Sequence, residues 1–248
     1  MTPADAPTPL AWMRPGHIGY IGPDLGVEPH SPSVAMLGIG LDAPLVLHTE
    51  AHGEIHTRSF FSPARTTQRL VATDGWILAL FVEPAGAPAT AIADEMTAAT
   101  GPFGLHHRRE RELVELCRGA RVDPDRVYAS AISGTAPPAD PRIERVAAEI
   151  RGDSSRTFRA DRIAANMGLS TSHFLRLFAQ QYGTTFRGYQ RWNRLIRTVS
   201  GAVSGHDLTR AALDAGFATP SHFSETFRDM IGLSATTMLR AGIRFDLG

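Results

Sequence analysis

A twelve-residue pattern of this chain returns 49 positions later, with five residues unchanged: residues 172–183 read SHFLRLFAQQYG and residues 221–232 read SHFSETFRDMIG. Ser, His, both Phe and the closing Gly coincide in register. Each copy follows a short helical segment and a glycine, RIAANMGLST before the first and TRAALDAGFATP before the second. A repeated helix, glycine corner and second helix limits the possible folds more than composition does. Gly168 and Gly216 supply the positive φ that a sharp corner needs. Ser170 and Thr219 stand where a side-chain oxygen caps the helix that follows. Phe174, Leu177 and Phe178, like Phe223 and Phe227, fall at helical spacing and bury one face. Ala164 with Ala165, and Ala211 with Ala212, are small where two helices cross. Between the copies, FRGYQRWNRLIRTVSGAV predicts a long amphipathic helix. Phe186, Tyr189, Ile196, Val199 and Val203 share one side, and Arg187, Arg191, Arg194 and Arg197 lie along the same segment.

The rest of the chain has a different texture. MLGIGL, APLVLHTE, TRSFF, TQRLVAT and GWILALFVEP, between about Tyr20 and Pro84, are strand-like runs separated by turn residues, which predicts an all-β barrel or sandwich. FGLHHRRERELVELCRG then turns helical, with Leu105, Leu113, Leu116 and Cys117 at roughly helical spacing, and Val127, Ala131 and Ile132 mark a second short helix. SGTAPPADP, residues 133–141, concentrates three prolines and reads as a linker. Beyond it everything reads as helix, beginning with Pro141 ahead of the stripe Ile143, Val146, Ala147 and Ile150. The expected division is a β domain at 1–100, connecting helices and linker at 101–138, and an all-α domain at 139–248.

Charge follows that division. The net charge is zero, but residues 1–138 hold 10 arginines against 15 acids and residues 139–248 hold 15 against 10, with no lysine anywhere. The C-terminal half is therefore the one that seeks a polyanion. A hydrophobic content of 43% excludes global disorder, and no apolar run reaches the roughly 20 residues of a membrane span. The N-terminal stretch lacks a basic n-region and a long apolar run, so no secretory signal is expected. One cysteine, Cys117, excludes an internal disulfide framework and is expected to be a packed residue, in keeping with a cytoplasmic protein.

Residues 142–244, and above all LTRAALDAGFATPSHFSETFRDMIGLS, resemble the DNA-binding domain of the AraC/XylS family of transcription regulators. The resemblance implies two helix-turn-helix units joined by a long helix, with both recognition helices entering the major groove of double-stranded DNA. It departs at Phe186 and Ala235, where the family places proline, and at Met238, where it places an aromatic residue; Tyr189 keeps the first aromatic. In the first recognition helix the outward candidates are Thr171, Ser172, Leu175 and Arg176, of which Arg176 suits bidentate contact with guanine. In the second they are Pro220, Ser221, Ser224 and Glu225, and Glu225 either accepts from cytosine N4 or pairs with Arg228. Arg187, Arg191 and Arg228 are candidates for phosphate contacts. His173 and His222 recur at matched positions and read as packing or backbone-contacting residues. Activation through RNA polymerase, a homodimer and a small-molecule effector are further implications of the resemblance.

The N-terminal half resembles the cupin-like barrels of some of these regulators in residues 19–39 and 75–84. That subset implies a histidine two places after His30, where this chain has Pro32, and another after Pro63, where it has Arg65, Thr66 and Thr67. On this reading the cupin metal site is eroded, and no metal or cofactor is expected. His48, His52 and His56 recur at four-residue spacing, too far apart along a strand to share an ion, with Gly53 turning the chain into a hairpin. His106 and His107 read as a solvated helix face. No nucleophile elbow, P-loop or dinucleotide-binding glycine motif is present, so no enzyme is expected, and Asp94, Glu95, Glu110 and Glu112 read as surface charge. The competing reading is a cupin-type metal or small-molecule binding protein, or an enzyme, whose C-terminal domain serves as an interaction module.

Overall fold

The computed structural model describes residues 8–72, 75–83, 88–119, 121–132 and 140–248. Residues 133–139, most of the expected linker, lie outside the described residues. The chain has an N-terminal β domain and a C-terminal helical domain. The strands are β1 (Leu10–Arg14), β2 (His17–Pro23), β3 (Ala35–Gly40), β4 (Leu45–Thr49), β5 (Gly53–Thr57), β6 (Ser59–Ser62), β7 (Arg69–Val71) and β8 (Trp76–Val82). Helix α1 (Pro88–Ala93), strands β9 (Met96–Thr100) and β10 (Phe103–His107), and helices α2 (Glu110–Arg118) and α3 (Pro124–Ala131) complete this half. The helical domain runs through α4 (Pro141–Gly152), α5 (Ala160–Asn166), α6 (Thr171–Tyr182), α7 (Phe186–Val203), α8 (Leu208–Asp214), α9 (Pro220–Ile231) and α10 (Ala235–Arg240) to a last strand, β11 (Arg244–Asp246).

Eight strands form one sheet in the order β11-β1-β2-β8-β3-β6-β10-β9, and β5-β4-β7 form a second. β8 explains why its sequence is continuously apolar. Ile77 and Ala79 face the second sheet, in a core with Leu45, Leu47, Phe60 and Phe103. Leu78, Leu80 and Val82 face the other way, in a core with Leu113, Val114, Cys117 and Val127 of α2 and α3. A strand buried on both faces has no use for polar alternation.

Three expectations are corrected here. The helix foreseen from Phe103 starts at Glu110, because Gly104 and Leu105 pair with Phe61 and Phe60 in the sheet. The barrel sheet thus runs on past residue 100 to His107. The C-terminal half is not wholly helical: Leu10, Ala11 and Trp12 pair in parallel with Arg244, Phe245 and Asp246, so the end of the chain returns to the barrel. Arg14 fixes the return, donating from Nη2 to Asp246 Oδ2 at 2.7 Å and from Nη1 to the Asp246 carbonyl at 3.2 Å.

His107 is likewise no solvated helix residue. It is 3% exposed, its Nε2 is 3.1 Å from the Ala131 carbonyl, and its Nδ1 accepts from the Arg109 N–H at 3.1 Å. Glu110, foreseen as surface charge, accepts a hydrogen bond from the Ser59 hydroxyl, and Glu95 is 6% exposed. His48 and His56 lie on paired strands and flank Glu54, at 3.5 and 3.7 Å. Among the described residues no cluster of three His, Cys, Asp or Glu is placed to hold a metal ion. Cys117 is buried, and its thiol is pushed up to about 12 by that burial. No described helix is long and apolar enough to cross a membrane.

Candidate DNA-binding surface and interdomain cavity

Helices α5 and α6 form the first helix-turn-helix and α8 and α9 the second, with α7 between them. At the corners Gly168 and Gly216 have φ of 66° and 92°, the left-handed backbone that only glycine adopts freely. The Ser170 hydroxyl accepts from the His173 N–H at 3.2 Å, and the Thr219 hydroxyl from the His222 N–H at 3.1 Å. Each cap satisfies one of the orphan donors at a helix start. The inward faces close two cores. Phe174, Phe178, Tyr182, Phe186 and Tyr189 pack with the α4 stripe in the first; Phe217, Phe223, Phe227, Trp192 and Val199 pack in the second. Ala164, Ala211 and Ala212 are buried as expected of crossing points, whereas Ala165 is exposed.

The inward Phe residues leave the other side of each recognition helix to solvent. Thr171, Ser172, Leu175 and Arg176 of α6 and Pro220, Ser221, Ser224, Glu225 and Arg228 of α9 are all exposed. Arg176, Arg187 and Arg228 make no ion pair among the described residues, and Glu225 does not pair with Arg228. Arg187 is exposed, but Arg191 is half-buried in a cleft against the barrel. The other two arginines of α7 brace the loop after α4: Arg194 Nε donates to the Ser154 carbonyl at 3.1 Å and Arg197 lies 3.6 Å from Asp153.

A second feature, invisible in the sequence, lies where the domains meet. An apolar cavity of about 120 Å³ is lined by Met13, Ile18 and Phe81 from the barrel and by Trp192, Phe227 and Met238 from the helical domain. Met238, a departure from the resembled family, is thus a wall of this cavity. Ile243 and Phe245, which carry the chain into β11, also line it. Nearby, the barrel loop takes over the orphan carbonyls at the end of α9, with Glu28 N–H donating to Gly232 at 2.7 Å and Ser31 N–H to Asp229 at 2.8 Å.

A third contact joins barrel, α4 and α7. Burial pushes the Glu83 carboxyl up, opposed by the Arg151 charge and the Tyr189 hydroxyl. Arg151 Nη1 also donates to Tyr189 Oη at 2.8 Å. Sequence reading missed Glu83 and the cavity because both depend on pieces brought together from distant parts of the chain.

Fold and surface together define a two-domain protein with an N-terminal β domain and a C-terminal domain of two helix-turn-helix units. Residues 163–241 match the helix-turn-helix domain family. Invasion protein InvF of Salmonella typhi is 32% identical over 73 residues, 29% of this chain and 34% of InvF. The match therefore spans about a third of the length of that relative. Across both domains the fold is similar to ToxT from Vibrio cholerae O395, with a TM-score of 0.59, 12% identity, and coverage of 91% of this chain and 96% of that one. It is also similar to unsaturated fatty acid bound ToxT from Vibrio cholerae strain SCE256, with a TM-score of 0.56, 11% identity, and coverage of 94% and 92%.

Proposed function

We propose that this protein is a sequence-specific DNA-binding transcription regulator, an activator in the manner of the family it resembles, whose DNA affinity responds to a hydrophobic effector. The observation that carries the reading is the pair of capped recognition helices, each with its polar N-terminal face open to solvent, in the half of the chain with excess arginine. Base edges are read by the exposed residues of α6 and α9, with Arg176 the chief contact. Arg187 and Arg228 reach phosphates, which supply affinity without sequence information. Arg191, turned toward the barrel, contributes to the DNA face through charge alone.

The effector reading rests on the apolar interdomain cavity and on the fatty acid held by the V. cholerae neighbour. At about 120 Å³, the cavity falls below the 150 Å³ of an engineered pocket that takes benzene. A long apolar chain therefore needs part of the wall to move, and Ile243 and Phe245, which lead into β11, belong to that wall. That motion gives an effector a route to the placement of α9. Pairing of two copies through α2 and α3, and contact with RNA polymerase, extend the same reading.

Full-length protein titrated with pooled genomic fragments at two salt concentrations tests it. A few fragments should be retained selectively and with a steep salt dependence, and Arg176→Ala should loosen that selectivity. Uniform weak binding, indifferent to that substitution, would refute base reading. Addition of an unsaturated fatty acid should shift the affinity for the selected fragments; no shift, with no rise in the unfolding midpoint, removes the effector.

A further inference from the structure

A polar cleft of about 430 Å³ lies between the barrel loop at 29–33, the turn at Arg65 and helices α7 and α9. Arg65 and Arg191 line it from opposite domains, and Asp229 is the single acid in its wall. Several arginines at tertiary contacts are engaged: Arg14 with Asp246, Arg118 with Asp42, Arg194 with a carbonyl. These two are not. Among the described residues neither makes an ion pair or a side-chain hydrogen bond, and the buried Nε of Arg191 has no partner.

Backbone hydrogen bonds hold the Arg65 turn against the loop at 29–33, and that loop is tied to α9 by the Ser31 N–H, which donates to the Asp229 carbonyl at 2.8 Å. The Arg65 N–H donates to the Pro32 carbonyl at 2.7 Å, and His30 and Gln68 exchange backbone hydrogen bonds at 2.9 and 3.0 Å. Arg65 has φ of 64°, an uncommon and costly conformation for a residue with a Cβ. Burial, then the charges of Arg187 and Arg65, pull Arg191 below the ordinary arginine value, against the opposing pull of Asp229. Positive charge is thus concentrated here beyond what the wall neutralises. Ser31, Thr67 and Thr226 add hydroxyl-bearing side chains around it.

We propose that this cleft is a binding site for a small oxyanion, of the phosphate or carboxylate class, held between Arg65 of the barrel and Arg191 of α7. Guanidinium groups suit such ligands because their planar forks donate two parallel hydrogen bonds to two oxygens. An anion seated there ties the barrel to the helix between the two recognition units. The proposal is independent of DNA reading, since it rests on neither recognition helix. Because His30 lines both this cleft and the apolar cavity, the anion is either free or the head group of an amphiphile whose tail lies in the cavity.

The test is the unfolding midpoint of the full chain against inorganic phosphate, acetate and dodecanoate, each at fixed ionic strength, with calorimetric titration for stoichiometry. Phosphate also stabilises folded proteins nonspecifically, so saturation and its loss on substitution are the criteria. At least one anion should saturate at one site per chain, and Arg191→Gln and Arg65→Gln should each weaken it at least tenfold. Arg111→Gln, on an exposed helix, should leave it unchanged. Arg65→Glu places a tethered carboxylate beside Arg191 and should raise the midpoint without added anion while abolishing saturation. Saturation by phosphate or acetate identifies a free anion, and saturation by dodecanoate alone a head group. A rise that never saturates, or that is equal in all variants, overturns the site.

Discussion

Phe178 and Phe227 occupy the same place in the repeat and are both fully buried, yet they face different neighbours. Phe178 packs within the helical domain, against Phe174, Tyr182, Phe186 and Tyr189. Phe227 belongs to a core that also contains Val34 of the barrel, with Met13, Ile18 and Phe81 packed against it, and it lines the interdomain cavity. The glycines that close the two recognition helices differ in the same sense. A Cβ on Gly183 would meet open space, whereas one on Gly232 would lie 2.5 Å from the Glu28 carbonyl oxygen and 2.7 Å from His30 Nδ1. The first unit has a hydrophobic core of its own; the second shares its core with the barrel. Similar local patterns therefore sit against different neighbours, and a displacement of the β domain would be felt at α9 more directly than at α6.

The severest test of that asymmetry is a pair of truncations. Phe178→Ala and Phe227→Ala should each cost about 3–5 kcal/mol in denaturant unfolding, the usual cost of deleting a buried aromatic ring. Phe227→Ala should also enlarge the interdomain cavity and increase uptake of an apolar ligand, while Phe178→Ala leaves uptake as it was. Equal uptake in both would break the comparison.

The two recognition helices should differ on DNA as well, because Arg176 and Glu225 stand at equivalent positions. Arg176→Ala should lose about 1–3 kcal/mol of discrimination at one base pair. Glu225→Ala, measured by the same titration, should change discrimination less and raise overall affinity by removing a carboxylate from the phosphate field.

Gly183→Ala should cost about 1 kcal/mol, the strain of a left-handed backbone at φ of 61°. Gly232→Ala should cost more, since it carries the same strain at φ of 83° and also displaces the barrel loop. Thermal unfolding of the two variants measures the difference.

The smallest effect expected is one of pH. Burial holds His17, His30 and His107 below the ordinary histidine value of 6.5. Below pH 6.5 the unfolded chain takes up protons that the folded chain refuses, so stability should be full above that value and fall as pH drops through it. His30 touches the end of α9, so hydrogen exchange at pH 5.5 should quicken in the last turn of α9 before that of α6. His30→Asn should remove the difference, and simultaneous quickening of both helices would count against the asymmetry.

The helical domain was legible because its signals are local. Glycine corners, Ser and Thr caps and Phe residues at helical spacing each act within a turn or two, so the two units could be found without knowing what surrounds them. The β domain was half legible. Continuous apolar runs such as WILALFV announced buried strands, but FGLHH carried too weak an alternation to separate a strand from the start of a helix. Its partner, β6, is some 45 residues away in the chain.

What the sequence determined by itself was therefore the fold class, the two recognition helices and the residues on their open faces, since exposure on a helix follows from period alone. What only the tertiary structure decided was which unit leans on the barrel. The parallel pairing of β11 with β1, the cavity behind Met238, and the cleft in which Arg191 lies half-buried all join residues far apart in the chain. Such contacts form where two folded surfaces meet, and no local pattern encodes the register of that meeting.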